Sequence, residues 1–130
     1  MVRREVIWWL RIAEKNVKRA QRSLEDGDYE ASCFWSQQAV EASLKALIIY
    51  SGREPPKIHN LVDLYGMVKN ILGPVDEATL SEIIPYYSIS RYPDVFGGIP
   101  VVHKNTAQKF LRFAKDIVRR ASEVISVGDS

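Results

Sequence analysis

Gln38, Glu41 and Lys45 stand three and four residues apart in the run ASCFWSQQAVEASLKALIIYSG, which is otherwise apolar on most of its circumference. In a helix that spacing stacks the three side chains one above another. Two chemistries fit them. Glu41 and Lys45, one turn apart, make an ordinary helical ion pair; alternatively the Lys45 ammonium grips a phosphate, with Gln38 adding neutral hydrogen bonds to the same ligand or across a dimer axis. His59 follows the Pro55-Pro56 turn. Histidine is the side chain that exchanges a proton near neutral pH, so His59 is either a ligand-binding or proton-transfer group, or it orients the turn by bonding a backbone carbonyl. Arg91, in SRYPD, is placed to clamp a phosphate with two parallel N–H bonds or to hold the carbonyls that end the preceding helix. Tyr92 and Tyr86 either stack a base or fill the core with a hydroxyl at its rim.

Other chemistries lack their residues. Cys33 is the sole cysteine, so there is no internal disulfide, and no histidine near it in sequence would activate a thiolate; it reads as core in a reducing compartment. Two histidines and one cysteine, with no ligand pair at helical spacing, assemble no zinc cage, and neither a metal nor a cofactor is expected. Gly97-Gly98 lacks the strand and helix that a phosphate-cradling loop needs. The early run VIWWL is too short for a signal peptide, and no window reaches ~18 uninterrupted apolar residues. The expectation is a soluble cytoplasmic protein that does not enter a membrane.

Helices must position these groups, and the pattern supplies them within one domain spanning residues 1–130. Val6, Leu10, Ala13, Val17, Ala20 and Leu24 alternate steps of four and three, which predicts a long amphipathic helix from Arg3 to Glu25. Gly27 is placed to end it in a left-handed cap and Asp28 to start the next, so the pair forms an antiparallel hairpin. The second helix, up to Gly52, carries Cys33, Val40, Leu44 and Leu47 beside Trp35, Ala39, Ala42, Ala46 and Ile49. A helix apolar on nearly all sides must be covered on nearly all sides, which makes it the centre of a bundle. Its surplus apolar surface, with adjacent Trp8 and Trp9 pointing in different directions, predicts a homodimer. Asn60 caps a third helix through Leu61, Leu64, Tyr65, Val68 and Leu72, closed by Gly73-Pro74. Asp76 opens a fourth through Leu80, Ile83, Ile84 and Tyr87, which Pro85 must kink or split. A long loop over 93–105 follows, and Thr106 caps a last helix with the seam Phe110, Leu111, Ala114, Val118, Ala121 and Ile125. The fold expected is all-α, an up-and-down bundle of four or five helices.

Net charge is only +2, yet residues 1–22 carry +5 and residues 104–120 another +5, leaving −8 elsewhere. Such stripes are ordinary solvated helix faces. If the first and last helices pack side by side, the stripes merge into a surface suited to phosphate backbones.

Three separated segments, FWSQQAVEASLKALIIYSG, P-x-K-x-H-N-L-x-x-L and S-R-Y-P-D, occur in an order that resembles the HEPN family of small α-helical proteins over nearly the whole chain. The resemblance implies an up-and-down bundle with an extra short helix, usually a homodimer. It also implies binding of a nucleotide or RNA phosphate and a toxin–antitoxin-like pairing with a minimal nucleotidyltransferase. On that reading Lys45, His59, Arg91, Glu41, Gln38 and Tyr92 contact the ligand. Many HEPN members are metal-independent ribonucleases that use an arginine followed a few residues later by a histidine. Arg53 and His59, with five residues between them, have that spacing. Pro55 and Pro56 keep the two off a shared helical turn, however, and Leu61 stands where a tyrosine often follows. Arg91 and His103, with eleven residues between them, fall outside the pattern. The leading expectation is therefore a ligand-binding protein with little or no catalysis. A ribonuclease toxin using His59 and Arg53 is the first alternative, and a helical interaction module without a small ligand is the second.

Overall fold

The computed structural model describes residues 3–88 and 101–129. Helix α1 spans Arg4–Glu25, α2 Tyr29–Tyr50, α3 Leu61–Gly66, α4 Lys69–Leu72 and α5 Glu77–Ile83; a 3-10 turn, Ile84–Tyr87, follows α5 directly, and α6 spans Lys104–Asp129. Among the described residues there is no strand.

Local chemistry sets the boundaries. Gly27 takes a positive φ of 79°, and the Asp28 amide reaches back to the Ser23 carbonyl at 2.8 Å, closing α1. The Asp28 carboxylate then accepts the Ala31 amide at 3.2 Å and starts α2. Gly52, with φ 89°, stops α2 while the Arg53 amide bonds the Ile48 carbonyl. Asn60 accepts from the Val62 and Asp63 amides at 3.0 and 3.1 Å and so begins α3.

Fifteen of the 22 residues of α2 are buried, which makes it the enclosed centre of the bundle. Helices α1 and α6 pack against it and against each other, while α3 and the 3-10 turn close its remaining side. Val6, Ala13 and Ala20 from α1 and Phe110, Leu111, Ala114, Ile117 and Ala121 from α6 are buried in the interface. A hydrogen bond of 2.8 Å from the Ser32 hydroxyl to the Ala20 carbonyl ties α2 to α1. With α2 wrapped inside one chain, its apolar circumference no longer calls for a subunit partner. Trp9 is half-buried against the core and Trp8 is 58% exposed, so the adjacent pair does point in different directions.

The long third helix expected from Leu61 to Leu72 is instead two short helices. In a continuous helix the Met67 carbonyl would accept the Ile71 amide. The Arg53 guanidinium takes that carbonyl, and the Ile71 amide turns to Val68 at 3.0 Å. The Met67 and Val68 amides make tighter bonds to Leu64 and Tyr65, three residues back.

Pro85 acts as its chemistry requires. Lacking an N–H, it cannot continue α5, and the Ile84 amide bonds Ser81, three residues back, to enter the 3-10 turn. The last helix starts at Lys104, two residues before the expected Thr106 cap, because the His103 carbonyl accepts the Thr106 and Ala107 amides at 3.1 and 3.2 Å. The predicted loop therefore ends at residue 103, and its portion 93–100 lies outside the described residues.

Candidate functional site

The polar strip of α2 is almost wholly enclosed. The Lys45 Nζ lies 3.1 Å from Glu41 Oε2, and the two side chains are 9% and 8% exposed. A charge pair this far from water requires further hydrogen bonds to offset its desolvation. Glu41 receives them. Gln37 Nε2 lies 3.3 Å from Oε1, and His59 Nδ1 lies 3.0 and 3.1 Å from the two carboxylate oxygens. Because a carboxylate only accepts, Nδ1 carries the proton and Nε2 is the edge of the ring left for other partners.

Each group is brought here by an identifiable element. Gln37, Glu41 and Lys45 sit at i, i+4 and i+8 of α2, on one face. The stop at Gly52 and the Pro55-Pro56 segment fold the chain back, so that His59 meets Glu41 across eighteen positions of sequence. The His59 ring stacks on Tyr87, with ring centres 3.9 Å apart and planes 18° from parallel, which fixes it from the 3-10 turn. On the other side the Lys45 ammonium stands 5.3 Å from the centre of the Trp9 ring of α1.

These residues open onto a cleft of about 430 Å³ lined by Trp9, Lys45, His59, Lys57, Glu54 and the two prolines. That volume is in the range of small-ligand sites, and the composition is apolar walls with a few convergent polar groups. The wall offers an indole face, two ammonium groups and an imidazole whose Nδ1 is held by a carboxylate. Chemically it can stack a planar ring, accept an anion and move a proton at Nε2. Among the described residues no cluster of three or more histidine, cysteine or carboxylate side chains is arranged to hold a metal ion.

Glu41 and Lys45, singled out from helical spacing, and His59, singled out from its side-chain chemistry after the Pro55-Pro56 turn, are thus brought together. Gln38 is one position off: it donates to Gln37 Oε1 at 2.5 Å, and Gln37, fully buried, holds the carboxylate. His59 bonds Glu41 and not the backbone carbonyl offered as its alternative. Arg53 is drawn away to the Met67 carbonyl and to the Ser51 hydroxyl at 3.4 Å. Tyr86 meets Phe110 edge-on at 5.3 Å, and burial raises its hydroxyl pKa, so it belongs to the core. Burial also pushes the Cys33 thiol up to about 12, with Glu30 adding to it, which leaves an inert side chain. Arg91, Tyr92 and the Gly97-Gly98 pair lie outside the described residues. Sequence reasoning missed Gln37, Trp9 and Tyr87 as parts of the site. For Gln37 the signal was present, since it stands four residues before Glu41; for Tyr87 there was none.

Comparison with known proteins assigns the family. The HEPN domain profile matches residues 6–124, most of the chain. The chain belongs to the HEPN family. Among solved structures, this HEPN chain resembles TT1696 from Thermus thermophilus at 28% identity and a TM-score of 0.80, covering 94% of this chain and 99% of that one. It also resembles a protein described as an archaeal HEPN homologue at 25% identity and a TM-score of 0.72, covering 91% and 95%. Among curated proteins none matches the sequence closely enough to count as a relative. The all-helical bundle expected from the sequence is the HEPN fold. No helix among the described residues is long and apolar enough to cross a membrane.

Proposed function

We propose that this HEPN protein binds a nucleotide, free or as the terminal unit of an RNA, in the cleft between Trp9 and His59. The observation that carries the reading is the meeting of the buried Glu41–Lys45 pair with His59 at the mouth of a cleft walled by an indole. The base stacks on Trp9, while the phosphate meets Lys45, Lys57 and His59 Nε2. Glu41 fixes the imidazole and keeps Lys45 from being an unpaired buried charge. In line with the family resemblance, the protein acts as a homodimer beside a nucleotidyltransferase-type partner. Light scattering tests the first point: a mass twice the 14.8 kDa of one chain is expected, and one equal to it refutes the dimer.

Ligand binding is tested by thermal unfolding. A nucleotide at a hundred times its Kd stabilises the folded state by about 2.7 kcal/mol, roughly 10 °C for a domain of this size. Lys57→Ala, on an exposed residue, and His59→Gln should lose most of that shift. Equal shifts in wild type and both variants would dismiss the cleft.

One observation favours a second reading. A carboxylate holding Nδ1 is the arrangement that orients a histidine as a general acid or base, so a ribonuclease would use His59 and Glu41. Arg53 enters neither version as a catalytic residue, since its guanidinium serves the α3–α4 break. Purified protein would then cleave single-stranded RNA without added metal. Cleavage that survives His59→Ala would exclude this site.

A further inference from the structure

The segment that closes the cleft carries charges of both signs on a stiff support. Pro55 and Pro56 each fix φ at about −65° and disfavour the helical region for the residue before them. The Ile58 amide then bonds the Pro56 carbonyl at 2.9 Å, a three-residue turn with Lys57 at its tip, and Ile58 itself packs against the core. Glu54 and Lys57, three residues apart, are thus presented to the cleft from one anchored segment.

Only one cation of the cleft lacks a matching carboxylate among the described residues. Lys45 is 3.1 Å from Glu41. Arg3, just before α1, reaches Glu54 at 3.5 Å, and the same guanidinium lies 3.4 Å from Glu5. Lys57 has no hydrogen-bond or ion-pair partner among the described residues. The groups lining the cleft, with their ion-pair partners, therefore set Arg3, Lys45 and Lys57 against Glu5, Glu41 and Glu54. The imidazole aside, that set carries no net charge. A phosphomonoester brings about 1.5 to 2 negative charges at neutral pH, and each further phosphate about one more. Sites built for a triphosphate answer it with several cationic groups. Here Glu54 shares the wall with the one unmatched lysine, and its counterion is divided with Glu5.

We propose that the cleft is a one-phosphate site and that Glu54 determines its specificity. Lys57 and Lys45 hold a single phosphate, while the Glu54 carboxylate repels the chain of a nucleoside di- or triphosphate. Discrimination of this kind acts against the competitor rather than for the favoured ligand. The proposal rests on the nucleotide reading of the cleft and names the class it takes: nucleoside monophosphates, free or ending an RNA.

The test is titration calorimetry of the full chain with the mono-, di- and triphosphates of the four common ribonucleosides, at low salt and with a chelator present. Affinity should fall about tenfold or more from monophosphate to triphosphate, the scale of an unfavourable charge pair near a protein surface. Glu54→Gln, on a side chain 81% exposed, should narrow that ratio while leaving monophosphate affinity in place. Arg3→Gln leaves Glu54 unmatched and should widen it, and added salt should narrow it. A merely structural role for Glu54 would weaken all nucleotides alike. Affinity that rises with phosphate number, or a ratio in Glu54→Gln equal to that of wild type, would overturn the proposal. If Lys57→Ala still abolishes binding in that case, the nucleotide site itself stands. Absence of saturable binding by any nucleotide would remove both.

Discussion

Removing one member of the Glu41–Lys45 pair should cost far more than removing both. The pair is 3.1 Å apart, with side chains 8% and 9% exposed, so both charges have lost most of their hydration. Stripping one partner from a buried pair costs about 3–5 kcal/mol, whereas replacing both by well-packed neutral groups is close to neutral. The two single variants should differ in a direction fixed by the remaining partners. In Lys45→Met, the Glu41 carboxylate keeps His59 Nδ1 and Gln37 Nε2, which places the loss near the lower end, about 3 kcal/mol. In Glu41→Met, the ammonium loses its oxygen acceptor and keeps the Trp9 ring 5.3 Å away, which places the loss toward about 5 kcal/mol. Urea unfolding of the two singles and the double closes the cycle. In heat the larger loss amounts to about 20 °C, at roughly 4 °C per kcal/mol for a chain this long. Both singles within about 0.5 kcal/mol of wild type would refute the reasoning, because that is the behaviour of a pair in solvent.

Three further outcomes follow from particular side chains. With its thiol pushed up to about 12, Cys33 should resist alkylation at pH 8 until urea unfolds the chain; rapid stoichiometric labelling of native protein would contradict its burial. Asp76 accepts the Thr79 amide and hydroxyl at 3.2 and 2.7 Å, and these bonds hold its carboxyl below the ordinary 3.8. A carboxyl lowered by folding stabilises above its unfolded pKa, and that contribution disappears as pH falls through the folded value. Asp76→Asn should therefore flatten the loss of stability below about pH 4, and an unchanged acid limb would exclude the cap as its source. Arg53→Ala frees the Met67 carbonyl and should lower stability by about 1 kcal/mol, leaving nucleotide affinity untouched; a selective loss of affinity would return Arg53 to the ligand site.

The parts of this protein readable in the sequence are those set by near neighbours. Gly27, Asp28, Gly52, Asn60 and Asp76 marked their helix ends because each acts on amides within a turn or two of itself. The enclosure of α2 followed from its apolar circumference, and the stacking of Glu41 on Lys45 from helical spacing alone. What could not be read was long-range. Arg53 reaches fourteen positions along the chain to the Met67 carbonyl at the break between α3 and α4, and within residues 61–72 only Gly66, the last residue of α3, hints at that break. Tyr87 reaches His59 only because Pro85 tightens the chain into a 3-10 turn at that point. Gln37 and Gln38 were indistinguishable by type, and the stacking argument accepted a step of three where the structure uses four. The first and last helices do pack side by side, and within the α6 stripe Arg119 is paired with Asp116 and Glu123.

The most direct test of the cleft is a titration of isotopically labelled protein with a nucleoside monophosphate, following the Trp9 indole, the His59 ring and the Lys57 amide by nuclear magnetic resonance. Saturating shifts confined to these groups, with the Trp8 indole unmoved, are the predicted result. Shifts centred on Trp8, or none that saturate, would contradict the reading of the Glu41–Lys45–His59 cleft as a nucleotide site.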